Sequence, residues 1–342
     1  MASTSADVLD LVDIAVLLNY EKCKASPHFR HTKLMEVCRP GQNPTTAVST
    51  LKRWHDNSRP RTTVVLARDD GEVDEEIDRT LTSEGKPTQD LPQLMRPIAG
   101  MTNRLENVGT KELETLYYQT LAHDGCFMSI ALLQHFFDLY PGDTPIRIRH
   151  GAQEGNTPSD YVITIEQRRI LEINLEKPRH TNVIIILPDG ITHTNGESYY
   201  MVHAVMGFYR NEADGKYSAM LDLSSLQFGE LGRGPGANGK ALFALDTESE
   251  FLDRMSQVAK DQAEDSLRVS LRIGECPDDK WLKEVAKKVK ERWERKAVEK
   301  WCGHCGRALP SPKACAKCHK EWYCSVAHQK LSWPFHKYHC SS

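Results

Sequence analysis

Residues 302–340 read Cys302-Gly-His-Cys305, then Cys315-Ala-Lys-Cys318, then Tyr323-Cys324 with His328 four residues on, then His336 with Cys340 four residues on. These are four couples of soft ligands, enough for two tetrahedral zinc ions. A Cys-x-x-Cys turn holds two thiolates about one tetrahedral edge apart, and an i, i+4 couple places two ligands on one face of a short helix. A segment of about 40 residues buries too little apolar surface to fold alone, so its metal supplies folding free energy. All eight positions are filled and none is left open, which predicts structural rather than catalytic zinc. His304, His319 and His339 read as spectators, with His339 beside Cys340 the one competitor for a ligand position. Spacing alone leaves sequential and interleaved pairings of the couples open.

The rest of the chain must be read from weaker signals. Of 342 residues, 27% are charged and 39% hydrophobic, which fits a globular protein rather than a disordered one. No run of about 18 apolar residues occurs, so no transmembrane helix is expected. Met1-Ala-Ser-Thr-Ser-Ala-Asp7 lacks the basic and apolar regions of a signal peptide, predicting an intracellular protein of cytoplasm or nucleus. Paired cysteines in such a reducing compartment favour metal over disulfide. From Asp279 onward there are 15 Lys and Arg against 6 Asp and Glu, so the net charge of −3 hides a basic tail on an acidic body. That excess is too modest to argue nucleic-acid binding, and no base-reading feature accompanies it.

The pattern along the chain predicts five parts. Residues 1–39 form an N-terminal helical segment, with an amphipathic helix over 7–19. Residues 40–104 are an irregular connector, rich in Pro, Thr and Ser and carrying the acidic run Asp69–Glu76. Residues 105–276 form an α+β domain. Its expected helices are Lys111–Leu121, Cys126–Leu139 and Glu248–Ala263. Its expected strands are Ile146–Ile148, Tyr161–Glu166, Ile170–Leu175, Asn182–Leu187, Tyr199–Tyr209, Tyr217–Leu223, Ala241–Leu245 and Leu267–Ile273. Residues 279–300 form a basic amphipathic helix, with Trp281, Leu282, Val285, Val289 and Trp293 on one face, read as a surface linker. Residues 301–342 form the metal module. The fold class is therefore α+β: a mixed helix and antiparallel-sheet body, a helical linker and a small two-zinc module. On this reading Cys302→Ser would unfold the module and leave the body's thermal transition intact.

The module resembles the MYND-type zinc finger. The likeness rests on the four ligand couples together with Gln329-x-x-x-Trp333-x-x-His336-Lys337-x-x-Cys340. One departure is His328, where the family usually has cysteine. The resemblance implies an interleaved arrangement: Cys302, Cys305, Cys324 and His328 at one zinc, and Cys315, Cys318, His336 and Cys340 at the other. It also implies docking of short proline-containing peptides of partner proteins, with Gln329 and Trp333 in the groove. An aromatic platform beside a strand edge suits an extended proline segment. The competing role for Trp333 is packing over the zinc ligands.

Three features of the body bear on function. Gly234-Pro-Gly-Ala-Asn-Gly-Lys240 fits the phosphate-loop spacing but has Ala241 where magnesium needs a hydroxyl, and a strand is expected next, so it reads as a turn. Cys126 opens a helix, and His203 and Asp222 lie on successive strands, an order similar to papain-like thiol hydrolases. The stretch Met220–Gly229 carries the same weak likeness. A lysine-methylating SET domain is excluded by the absence of an Asn-His-x-Cys stretch in 105–275. The principal reading is a zinc-binding interaction and adaptor protein rather than an enzyme; the alternative is a cysteine hydrolase using Cys126, His203 and Asp222 with a MYND adaptor.

Overall fold

The computed structural model describes residues 8–27, 29, 32–45, 59–68, 108–123, 125–151, 158–188, 191–233, 242–270, 279–311 and 313–341. The acidic run at 69–76, the proline-rich stretch at 82–100 and the 234–240 turn lie outside the described residues.

The body is built on a five-stranded antiparallel sheet. Its order is β11 (Ala244–Asp246), β10 (Ala219–Asp222), β9 (Tyr200–Phe208), β6 (Arg168–Pro178) and β12 (Ala259–Ser270). Period-two alternation sends neighbouring side chains to opposite faces. Ala204, Met206 and Phe208 face one apolar cluster, while Val205 joins Leu171, Ile173, Leu175 and Met220 in another. Helix α3 (Cys126–Phe137) packs in the first cluster and α4 (Glu248–Val258) in the second, through Phe251, Met255 and Val258. Thr247 and Glu250 form a capping box that starts α4. The expected helix to Ala263 stops at Val258, because Ala259 already pairs with Pro178 in the ladder to β6.

A second, four-stranded sheet has the order β2 (Thr32–Cys38), β3 (Arg61–Arg68), β7 (Thr181–Leu187) and β8 (Ile191–Asn195). Strands β3 and β7 pair in parallel, and the other neighbours are antiparallel. Helix α2 (Thr110–Leu121) covers this sheet, burying Leu116, Tyr117, Tyr118 and Leu121 against Leu34, Val64, Leu66, Ile184 and Ile186. The stretch read as an irregular connector therefore contributes a strand paired on both sides. A small third sheet joins β1 (Leu9–Asp10), β4 (Pro145–Arg149) and β5 (Asp160–Thr164). Leu9 and Asp10, expected inside a helix, pair with β4; α1 (Leu11–Ala25) follows, with the Asp10 side chain accepting from the Val12 and Asp13 amides.

Helix α5 (Asp279–Glu294) differs most from expectation. Leu282, Val285, Ala286, Val289 and Trp293 are buried in the same cluster as α1 and α3. The narrow apolar stripe is the third wall of the main core rather than the face of a surface linker. Its far side remains exposed and carries the lysines, as an amphipathic helix requires. Among the described residues no helix is long and apolar enough to cross a membrane.

Candidate functional site

The C-terminal segment forms a two-residue strand pair, β13 (Lys313–Ala314) with β14 (Trp322–Tyr323), followed by α6 (Val326–His339). Ser325 caps α6 by accepting from the His328 amide, so the His328 and His336 side chains leave a fixed helix start and its inner face. The ligand atoms fall into two groups that alternate along the chain: Cys302, Cys305, Cys324 and His328, then Cys315, Cys318, His336 and Cys340. Within each group all four atoms lie within 4.8 Å of one another.

The spacing tests whether zinc fits. Bond lengths of about 2.3 Å to sulfur and about 2.0–2.1 Å to nitrogen give tetrahedral edges of about 3.8 Å between sulfurs and about 3.6 Å from sulfur to nitrogen. In the first group Cys305 Sγ is 4.0 Å from Cys324 Sγ, and His328 Nδ1 is 3.5 Å from Cys302 Sγ and 3.1 Å from Cys324 Sγ. In the second, Cys315 Sγ is 3.8 Å from Cys340 Sγ, and Cys318 Sγ is 3.5 Å from His336 Nε2. The two clusters are compatible with zinc in donor type, number and edge length. The two imidazoles present different nitrogens, Nδ1 at His328 and Nε2 at His336.

The finger is seated on the body through buried polar contacts. Glu114 of α2 accepts from His304 Nε2 at 3.0 Å, and the same oxygen lies 3.8 Å from His328 Nε2. Burial opposes the charge on Glu114, but the His304 hydrogen bond and the nearby His304, His328 and Arg233 hold its carboxyl below the usual range. Arg292 of α5 donates to the Gly306 carbonyl at 2.9 Å and pairs with Glu21 of α1 at 2.7 Å. Gly306 has φ +79°, and a Cβ there would lie 2.7 Å from both Tyr20 Cβ and the Val16 carbonyl, so this turn needs glycine twice over. At the other end His339 Nε2 bonds the His150 carbonyl at 3.1 Å, which gives that expected spectator a structural partner. Arg149 of β4 pairs with Asp10 at 2.7 Å, approaches Glu321 at 3.9 Å and lies over the Phe335 ring.

Sequence reasoning did not find Glu114. The available signal was its place on the i, i+3, i+4, i+7 row with Tyr117, Tyr118 and Leu121, a carboxylate on an apolar stripe.

The two expected groove residues are on α6. Trp333 is 42% exposed, its ring 5.9 Å from that of His336, so it faces solvent while lying beside that imidazole. Gln329 is half-buried.

In the body the structure brings Cys126, His203 and Asp222 together. His203 Nε2 is 2.8 Å from Asp222 Oδ2, and the Cys126 thiol is close enough to act on the charge of the His203 ring. The Gln227 side-chain amide lies 3.1 Å from His203 Nδ1. Arg254 donates to the same Asp222 oxygen at 3.1 Å and to Asp246 at 2.7 Å. Burial disfavours the charged ring, but Asp222 and Cys126 outweigh it and push His203 up to about 9. Burial likewise works against the Asp222 carboxylate, yet His203 and Arg254 hold it down at about 2. Asp246 is pushed up to about 6, mainly by burial. All of these side chains are buried, Cys126 at 4% exposure. Their chain neighbours Phe127 and Val202 are exposed apolar residues, and the Val202 carbonyl lies 4.0 Å from the thiol.

No curated protein and no solved structure matches the chain, so the body's likeness to papain-like proteins is not shown. The family model for the MYND finger matches residues 302–340, and with the ligand geometry above this segment is a MYND finger set against an α+β body.

Proposed function

We propose that this protein is an adaptor whose MYND finger, built on two structural zinc ions, docks short proline-containing segments of partner proteins. The observation that carries this reading is Trp333, an exposed indole on the helix that presents His328 and His336. The short strand β13 adds a second element, since Lys313 and Ala314 are exposed and, among the described residues, pair only with β14. An extended proline segment can stack on the indole while its backbone follows a strand edge. The eight Cys and His residues supply the zinc shells, and their role is to fix β14 and α6.

The test uses the zinc-loaded full chain and a panel of proline-containing ten-residue peptides, followed by the indole N–H signal of Trp333 in NMR titrations. At least one peptide is expected to shift that signal, and Trp333→Ala should weaken its binding about tenfold or more, the scale of a buried aromatic anchor. Its zinc content should stay unchanged. A panel without binders, or equal binding by the variant, would remove the docking reading.

The convergence of Cys126 with His203 and Asp222 favours a second reading, a thiol hydrolase in the body. His203 would take the thiol proton at Nδ1, in place of its contact with the Gln227 amide, and Asp222 would orient the ring through Nε2. Iodoacetamide labelling at pH 6 separates the two. Cys23 and Cys38, whose thiols burial pushes up, serve as unreactive controls. The hydrolase reading expects fast labelling of Cys126 that is lost in folded His203→Gln. Labelling of Cys126 no faster than the controls leaves the network a purely structural one.

A further inference from the structure

We propose that Glu114, a residue of the body, orients the His328 ligand and thereby makes metal binding at the Cys302, Cys305, Cys324 and His328 site depend on the fold of α2; this rests on the zinc reading above. His328 turns Nδ1 toward the Cys302 and Cys324 sulfurs at 3.5 and 3.1 Å. An imidazole that binds metal through Nδ1 must keep its proton on Nε2, on the opposite side of the ring. The group facing that side is Glu114 Oε1, at 3.8 Å.

At that separation the contact is one of charge rather than a formed hydrogen bond. What fixes the carboxylate is His304, which bonds the same oxygen at 3.0 Å and meets the His328 ring edge-on at 4.6 Å. Arg233 approaches the other oxygen at 3.6 Å, and that oxygen is buried without a hydrogen-bond partner among the described residues. The carboxylate is therefore held in place, largely dehydrated, beside a ligand's proton-bearing edge. A carboxylate so placed favours the tautomer with Nδ1 free for metal and makes the ring a better donor.

The placement also gives a physical role to the one departure from the family pattern. A cysteine at 328 would have no second polar edge to turn toward α2. Histidine spans the distance between the metal cluster and Glu114. By linkage, metal at this site then stabilises the seating of α2 as much as α2 stabilises the metal.

Release of zinc from the full chain to a colorimetric chelator tests the coupling, with circular dichroism confirming the fold of each loaded variant. Glu114→Gln is expected to weaken one of the two ions on the order of 10–100-fold and leave the other unchanged. His304→Asn, which frees the carboxylate without removing it, should weaken the same ion by a smaller factor. In a His328→Cys background the further change Glu114→Gln should alter release less than about twofold, because the imidazole it acts through is gone. Unchanged release in both Glu114→Gln and His304→Asn overturns the proposal. So does an equal loss in the His328→Cys background, which would mark Glu114 as a general packing residue. A wild-type chain that holds no zinc would instead remove the underlying metal reading.

Discussion

Cys302→Ser is expected to lower the thermal transition of the whole chain, not to release a finger from an intact body. This reverses the outcome that the sequence suggests. Cys302 is fully buried and belongs to the Cys and His cluster that reaches Glu114 of α2 through His328. The same segment holds the Gly306 turn against α1 and accepts from Arg292 of α5. Loss of the cluster therefore removes support from α1, α2 and α5 together, and α1 and α5 are walls of the main core. Structural zinc sites carry apparent binding free energies of about 10–16 kcal/mol in isolated fingers. If even about 4 kcal/mol of this is transmitted to the body, the transition falls by about 8–16 °C for a domain of roughly 150–250 residues. Differential scanning calorimetry of loaded wild type and variant reads this directly, and chelation of wild type should reproduce the shift. Two separated transitions, with the upper one unmoved, would show that finger and body are energetically independent.

Arg254→Met is the second large effect. The Arg254 guanidinium is buried and is shared by Asp222 and Asp246, which lie on adjacent strands β10 and β11. His203 neutralises only one of these carboxylates. Methionine fills similar volume and leaves Asp246 with no cation among the pairs described for it. Removing one partner of a buried ion pair costs on the order of 3–5 kcal/mol, because the other charge stays dehydrated. Urea unfolding at pH 7 should show that loss, while Asp246→Asn combined with Arg254→Met should recover part of it. A single variant within about 0.5 kcal/mol of wild type, the range of ordinary surface changes, would mean that the network is not a stabilising element.

These two expectations separate what is local from what is not. The ligand couples are legible because each is a short-range pattern, a Cys-x-x-Cys turn or an i, i+4 pair on one helix face. The helices α2 and α3 and the strands β6, β7 and β9 are legible for the same reason, since burial on one face imprints a period of 3.6 or 2. Strand β3 was within reach, because Thr62-Thr-Val-Val-Leu66 is rich in β-branched residues, but its proline- and serine-rich surroundings masked it. Strand β12 was shortened by its polar start, Lys260-Asp-Gln262, which reads as helix surface until its pairing with β6 is known.

The sequence by itself determined the eight Cys and His candidates for zinc and the α+β class, because those follow from residue types at fixed short spacings. Only the tertiary structure decided that β3 pairs in parallel with β7, more than 100 residues away. It alone showed that α5 is core rather than linker. It also brought Glu114 to His304 and His328, and Cys126 to His203 and Asp222. The physical reason is the same in each case. A contact between distant segments leaves no periodic trace in either one, so it exists only once the chain has closed its core.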